Sequence, residues 1–269
     1  MLFGIFGRSE NMKNDNLTLT IGHLYPDLMD TYGDRGNIIA ITKRCQWRDI
    51  AVHYTSLSLD TPWDLANIDF LFFGGGQDRA QTIVAQDLGQ GKGEMLKDAV
   101  NRGSVLLAVC GGYQLLGKSY QPHHEPEIPG VGLFDAYTVA GEKRMIGNLI
   151  IEIQNDSLST TNPTPKTIVG FENHSGKTYL GKNCQPLGSV LLGSGNNGED
   201  GTEGARQQTA FGCYLHGSLL PKNPHLADYL IALALKRRYG EINLTPLDDT
   251  LEWQAHHAAI ARAREISGA

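Results

Sequence analysis

Ser104-Val-Leu-Leu-Ala-Val-Cys-Gly-Gly-Tyr-Gln-Leu-Leu-Gly117 decides how the rest of this chain is read. Residues 104–109 suit a buried strand and run straight into Cys110. Two glycines follow, then residues that suit a helix start. A strand, a sharp turn bearing a nucleophile and a helix form a nucleophile elbow, which projects the side chain out of the backbone. The helix N-terminus beyond it favours thiolate over thiol and offers backbone N–H groups to a developing oxyanion. A free cysteine at a strand end is otherwise a common core residue. Core strands seldom need Gly-Gly at that point, whereas a strained turn does. The stretch therefore predicts an enzyme that forms a thioester on Cys110.

Upstream, residues 17–24, 50–54 and 68–73 read as strands, the third ending in Gly74-Gly-Gly76. Asp34 begins a helix reaching about Trp47, and Asp78 is placed to cap a second that runs to Asn101. Strands alternating with helices predict a parallel α/β sheet. Downstream of Gly117, segments 132–139, 146–153, 167–172, 189–192 and 210–215 follow one another as strands with little helix between. The expected fold is a single α/β domain, a mostly parallel sheet flanked by helices with additional antiparallel strands. Residues 1–16 read as a flexible lead-in, 17–240 as the domain and 241–269 as a C-terminal helical extension. Residues 196–204 form a Gly-rich acidic loop expected to be mobile. Residues 223–239 read as an amphipathic helix with Leu226, Tyr229, Leu230, Leu233 and Ala234 on one face, and 251–266 as a final helix.

With 269 residues and 41% apolar side chains the chain has ample material for a core. A net charge of −6 with scattered Lys and Arg gives no reason to expect nucleic acid or an anionic membrane as partner. Cys45, Cys110, Cys184 and Cys213 lack CxxC spacing, which speaks against a zinc site or a disulfide framework. No apolar run approaches the ~18 residues of a membrane span. The opening Met1-Leu-Phe-Gly-Ile-Phe6 is too short for a secretory signal and lacks its basic flank. A reducing cytoplasm suits a free catalytic thiol, so a cytoplasmic location is expected.

A thiol near its free pKa of ~8.5 is mostly protonated at neutral pH, so a base must sit beside it. His216, which ends Ala210-Phe-Gly-Cys-Tyr-Leu-His216, is the best candidate, because sites in open α/β sheets assemble at strand C-termini. His174 in Gly170-Phe-Glu-Asn-His-Ser-Gly176 is second; His256 and His257 on the final helix read as solvated, and Cys213 as core. Gly74-Gly-Gly76 reads as a tight turn or as an oxyanion hole, with the amides of Gly75 and Gly111 as expected donors. It lacks the spacing of a phosphate-binding loop. Arg144 in Gly141-Glu-Lys-Arg-Met-Ile-Gly-Asn148 is a solvated charge unless the substrate carries a carboxylate, which Arg grips bidentately.

Together these residues resemble the class I glutamine amidotransferases, in the branch of the cobyric acid synthase glutaminase domains. The Cys110 elbow, Gly74-Gly-Gly76 and Tyr214-Leu-His-Gly217 occur in that family's order. Tyr25-Pro-Asp-Leu-Met-Asp-Thr-Tyr-Gly-Asp-Arg-Gly-Asn37, Arg144-Met-Ile-Gly-Asn148 and 170–176 are similar to the glutaminase subunits of lipid II isoglutaminyl synthases. The resemblance covers roughly residues 17–239. It implies Cys110 as nucleophile, His216 as general base and acid, Arg144 as the L-glutamine-binding residue and no cofactor in this chain. It also implies a Mur-ligase-like (MurT-like) synthetase partner that holds ATP and Mg and amidates D-glutamate of lipid II. Two departures stand out: Ala108 replaces a frequent Gly, and Gly217-Ser218 follow His216 where many relatives carry Pro-Glu. A third catalytic member must then come from elsewhere, Glu172 or an N-terminal Asp. Amidation of a corrin or another acid, a cysteine hydrolase of similar fold and a non-catalytic binding subunit are the competing readings.

Overall fold

Short apolar runs bounded by Gly and Asp pair edge to edge, because each hides its backbone hydrogen bonds in a neighbour. The computed structural model describes residues 17–31, 34–59, 61–153, 166–216 and 219–268. The expected lead-in, 1–16, lies outside them. In the first sheet, β1 (Thr18–Leu24), β2 (Ala51–Leu57), β3 (Phe70–Phe73) and β4 (Val105–Val109) are parallel. Between β4 and the remaining two strands of that sheet the chain builds a second one. It consists of β5 (Ser119–Gln121), β6 (Ile128–Pro129), β7 (Ala136–Glu152), β8 (Thr167–Leu180), β9 (Gly188–Leu192) and β10 (Thr202–Glu203). The first sheet is completed by β11 (Ala205–Gln207) and β12 (Ala210–Cys213), in the order β11-β12-β4-β3-β1-β2, with only β11 antiparallel to its neighbour. In the second sheet only β5 and β7 run parallel. The α/β class with a mostly parallel sheet and added antiparallel strands is the observed architecture.

Register positions the site. Phe73 pairs with Ala108, and Cys213 with Val109, so the C-terminal ends of β3, β4 and β12 finish level. Phe171 of β8 and His216 exchange both backbone hydrogen bonds, at 3.2 and 2.8 Å, and so stitch the sheets together at that edge. Among the described residues six α-helices pack around them: α1 (Arg35–Gln46), α2 (Asp78–Asp87), α3 (Gly93–Asn101), α4 (Gly111–Leu116), α5 (Pro224–Tyr239) and α6 (Thr250–Ser267). Arg44 forks onto Asp228 and Asp249, and Arg48 joins Asp228, tying α1 to α5 and to the approach to α6. Ala263 of α6 is buried against Ile150 and Val169 of the second sheet.

Four expectations are corrected. The helix over 78–101 is two helices, parted at Gln90-Gly91, where Gly91 has φ +113°; Gln77, not Asp78, is its N-cap residue. Segments 132–139 and 146–153 are largely one 17-residue strand, β7, irregular between Ala140 and Met145. The 196–204 loop is pinned: Asn196 is buried, its amide exchanging hydrogen bonds with Gly204. His256 is buried, not solvated, and bonds Thr167 and the Lys222 carbonyl.

Candidate active site

Cys110 leaves β4 with φ +51° and ψ −109°, a conformation that a non-glycine residue adopts only under constraint from its surroundings. That constraint is visible. Its N–H donates to Cys213 O at 2.8 Å, and its carbonyl accepts from Gln114 N–H at 2.9 Å, closing the first turn of α4. The glycines have packing reasons as well as conformational ones. A Cβ on Gly112 would lie 2.7 Å from the Phe73 carbonyl oxygen, and one on Gly74 would lie 2.3 Å from that of Met29. The stretch after β1 passes directly over the 74–76 turn, and nothing larger than a hydrogen fits between them.

That passage delivers a carboxylate. Asp34 is fully buried; its Oδ1 lies 3.1 Å from His216 Nδ1, and its Oδ2 accepts the Gly75 N–H at 2.8 Å. An ionised carboxylate only accepts, so Nδ1 carries the hydrogen and Nε2 is left for the sulfur. Cys110 lies close enough to His216 to act on the imidazole. Burial pulls the imidazole down, but the bonds and charges of Asp34 and Cys110 outweigh it and push His216 up to about 10. An imidazolium beside the sulfur is what a thiolate nucleophile needs. Sulfur, imidazole and carboxylate thus stand in the order that a nucleophile, its base and an orienting group would take.

The other candidates are engaged in other contacts. Glu172 accepts the Ser194 and Gly195 amides, at 2.8 and 2.9 Å, far from this role. His174 stacks on Tyr214 with ring centroids 3.5 Å apart, and its Nδ1 lies 2.8 Å from the Gly176 carbonyl; its Nε2 faces Glu172 at 3.9 Å. The expected oxyanion donor at Gly75 is corrected, because its hydrogen belongs to Asp34. Gly76 supplies the amide next to Gly111: a Cβ built on Gly111 would sit 2.9 Å from Gly76 N. No acceptor among the described residues takes the hydrogen of either amide. The Gly75 carbonyl, in the peptide that carries the Gly76 N–H, accepts the Thr31 N–H at 3.2 Å, and Gln81 Nε2 donates to Gly76 O of the next peptide at 3.0 Å.

These groups open onto a cleft of about 430 Å³, the size of a small-ligand site. Cys110, Gly76, Gln81, Gln114, His174 and Arg144 line it. Arg144 comes from the irregular stretch of β7 and is steadied by Asn173, whose Oδ1 accepts its Nε–H at 2.6 Å. The structure therefore brings Cys110, His216, Gly111 and Arg144 to one edge of the fold and adds Asp34. The sequence signal for Asp34 was its place in the 25–37 run, which also holds Asp27 and Asp30. Only the register of that loop over Gly75 singles it out.

A family model for the CobB/CobQ-like glutamine amidotransferase domain matches residues 20–224. The chain is 40% identical over 235 residues to the Streptococcus pneumoniae protein named lipid II isoglutaminyl synthase (glutamine-hydrolyzing) subunit GatD, covering 87% of each chain. It is 38% identical over 245 residues to the Staphylococcus aureus protein of the same name, covering 91% of this chain and 96% of that one. Among solved structures, a glutamine amidotransferase superposes with TM-score 0.52 at 18% identity, over 80% of this chain and 98% of that one, which speaks to the fold alone.

Proposed function

This chain belongs to the CobB/CobQ-like glutamine amidotransferase family, a family of glutamine-hydrolysing enzymes, and on that premise we propose that it is the glutaminase subunit of a two-chain ligase converting the D-glutamate of lipid II to D-isoglutamine. The observation that carries the reading is the Cys110–His216–Asp34 chain at a strained elbow, in one cleft with Arg144. The substrate and the two-chain arrangement are supported by likeness to the two GatD proteins over nearly their whole length.

The chemistry follows from the geometry. L-Glutamine enters with its α-carboxylate on the Arg144 guanidinium and its side-chain amide carbon over the sulfur. The Cys110 thiolate attacks, and the carbonyl oxygen takes the charge between the Gly76 and Gly111 amides; one such donor is typically worth about 10²–10³ in rate. His216 gives its Nε2 proton to the leaving nitrogen, and ammonia departs. Asp34 holds the ring and balances its charge throughout. The neutral imidazole then takes a proton from water, which hydrolyses the γ-glutamyl thioester to glutamate and returns the thiolate. Ammonia passes to a Mur-ligase-like partner in the cytoplasm. That partner holds ATP and Mg and activates the acceptor carboxylate.

The test supplies L-glutamine, ATP, Mg, lipid II and the candidate partner and looks for amidated stem peptide. Cys110→Ala is expected to abolish ammonia release while leaving the thermal transition in place. Ammonia release by that variant, or glutamine hydrolysis with no amidated product from the complete mixture, would sink the respective halves of the proposal.

A further inference from the structure

The charges lining the cleft are two guanidiniums, Arg79 and Arg144, and one carboxylate, Asp78, among the described residues. Asp78 opens α2 directly after the glycine turn, where the positive end of the helix steadies an anion. The Tyr120 phenol lies beside it, close enough for the carboxylate to act on the phenol. Tyr120 is itself buried, lines the same cleft, and lies near enough to Cys110 to feel its charge. Asp78 therefore stands in the reaction cleft on the opposite charge from Arg144. Among the described residues it has no ion-pair partner. A carboxylate beside one phenol keeps acceptor positions for another donor.

The glutaminase reading puts a zwitterion in this cleft. L-Glutamine carries a carboxylate and an ammonium on one carbon, so a site that grips the first with a guanidinium has the second close by. We propose that Asp78, positioned by Tyr120, binds the α-ammonium of the substrate and makes the site selective for amides that carry a free α-amino group. The inference rests on the glutaminase reading and adds to it a second anchor, one that fixes the pose of the head group from two sides. Two anchors of opposite sign, on α2 and β7, leave the side-chain amide a single direction, along the cleft toward Cys110. An amide lacking the ammonium leaves Asp78 without its partner, and a site built around a polar group rejects the analogue that lacks it.

The full chain with its synthetase partner is the test system. The readouts are KM and kcat for L-glutamine, and the competitive inhibition constant of 4-carbamoylbutanoate, which is L-glutamine without the amine. Asp78→Asn is expected to raise KM about 10–100-fold with kcat within roughly three-fold, as loss of a charged hydrogen bond made equally in ground and transition states requires. The inhibition constant of 4-carbamoylbutanoate is expected to stay where it is. Tyr120→Phe moves KM the same way by less and carries the same prediction if Asp78→Asn fails to fold. An unchanged KM overturns the proposal. So does an inhibition constant that rises in parallel with KM, because a residue that merely shapes the cleft weakens both ligands alike. If the unsubstituted complex releases no ammonia from glutamine, the glutaminase reading fails and the proposal falls with it. That failure is recognisable because no substitution is involved.

Discussion

Asp34→Asn separates what the carboxylate does from the space it fills. The carboxylate accepts two hydrogen bonds, from His216 Nδ1 at 3.1 Å and from Gly75 N–H at 2.8 Å. An amide has one oxygen for two donors. If that oxygen stays on Gly75, the NH₂ faces His216 and selects the ring with hydrogen on Nε2, which cannot take a proton from Cys110. If it turns to His216, the NH₂ meets the Gly75 N–H, and two donors in a sealed pocket push the glycine turn away from the elbow. A hydrogen bond to a charged group is worth about 1.5–3 kcal/mol, or about 10–150-fold. Loss of the productive tautomer multiplies that; the matching Asp→Asn change in a serine-protease triad costs about 10⁴ in kcat. We expect kcat for ammonia release to fall about 10²–10⁴-fold with KM little changed. The alkaline limb of kcat/KM should also move to lower pH, because the partner that pushes His216 up to about 10 has lost its charge. A continuous assay of released ammonia from about pH 6 to 10, with the synthetase present, reads both. Stability follows the same shift. A folded imidazole pKa above the unfolded ~6.5 stabilises the fold fully below that pH, and the contribution is lost as pH rises through about 10. The fall in Tm over that window should be shallower in the variant. A kcat within three-fold of the parent and an unmoved alkaline limb would refute the role of Asp34 outright.

Gly74→Ala puts a methyl 2.3 Å from a backbone oxygen, whereas Gly89→Ala meets nothing within 4 Å. Overpacking of about 1–3 kcal/mol should lower Tm by about 2–12 °C in the first, and calorimetry should find the second unchanged. Arg144→Ala should raise KM for L-glutamine about 10–100-fold and leave the thermal transition alone; an unchanged KM in steady-state assays refutes its part in binding. Glu203 is buried, accepts the Tyr214 N–H, and is pushed up to about 8, chiefly by burial. Its folded pKa above the unfolded ~4.3 costs stability progressively as pH rises from there to about 8. The Tm of Glu203→Gln should therefore gain on the parent across that window, and parallel Tm–pH curves would contradict it.

Much of this was legible in the chain because it is local. The elbow at 104–117 announces itself through a strand run, a nucleophile and two small residues, and β1, β3 and β4 through apolar runs that end in turn residues. What was missed depends on distant contacts. Gly141 and the charged residues 142–144 read as a break, yet β8 pairs with β7 on both sides of them and carries it through as one strand with an irregular step. The acidic 196–204 loop reads as mobile, yet the Asn196 and Asn197 amides fold it back on itself and onto β8. His256 looks like a surface residue of α6 until Thr167 and the Lys222 carbonyl are seen to take both ring nitrogens. Gly75 and Gly76 are indistinguishable in sequence. Which amide is left for the sulfur side depends on the 75–76 peptide, held at the Gly75 carbonyl by the Thr31 N–H, while Asp34 holds the peptide before it and Gln81 the peptide after.

The position of Asp34 also explains how the site works without a carboxylate directly after His216. When the orienting acid follows the histidine on its own strand, the base and its partner are set by local backbone. Here they are 182 residues apart, and the bond between them forms only when the loop after β1 lies across the end of β3. The fold holds both ends of that bond to common supports. Asn37, three residues after Asp34, accepts the Leu220 N–H through its side chain at 2.9 Å. Asn223 then ties Leu219 to Val169 of β8, and β8 in turn grips the His216 backbone through Phe171. The same carboxylate that bonds His216 also occupies Gly75, so the proposed base and the proposed oxyanion turn are held by one side chain. A displacement of the β1–α1 loop must therefore disturb proton transfer and charge stabilisation together. On the proposed reading, catalytic geometry in this chain is a property of the two sheets joined at this edge rather than of any one strand.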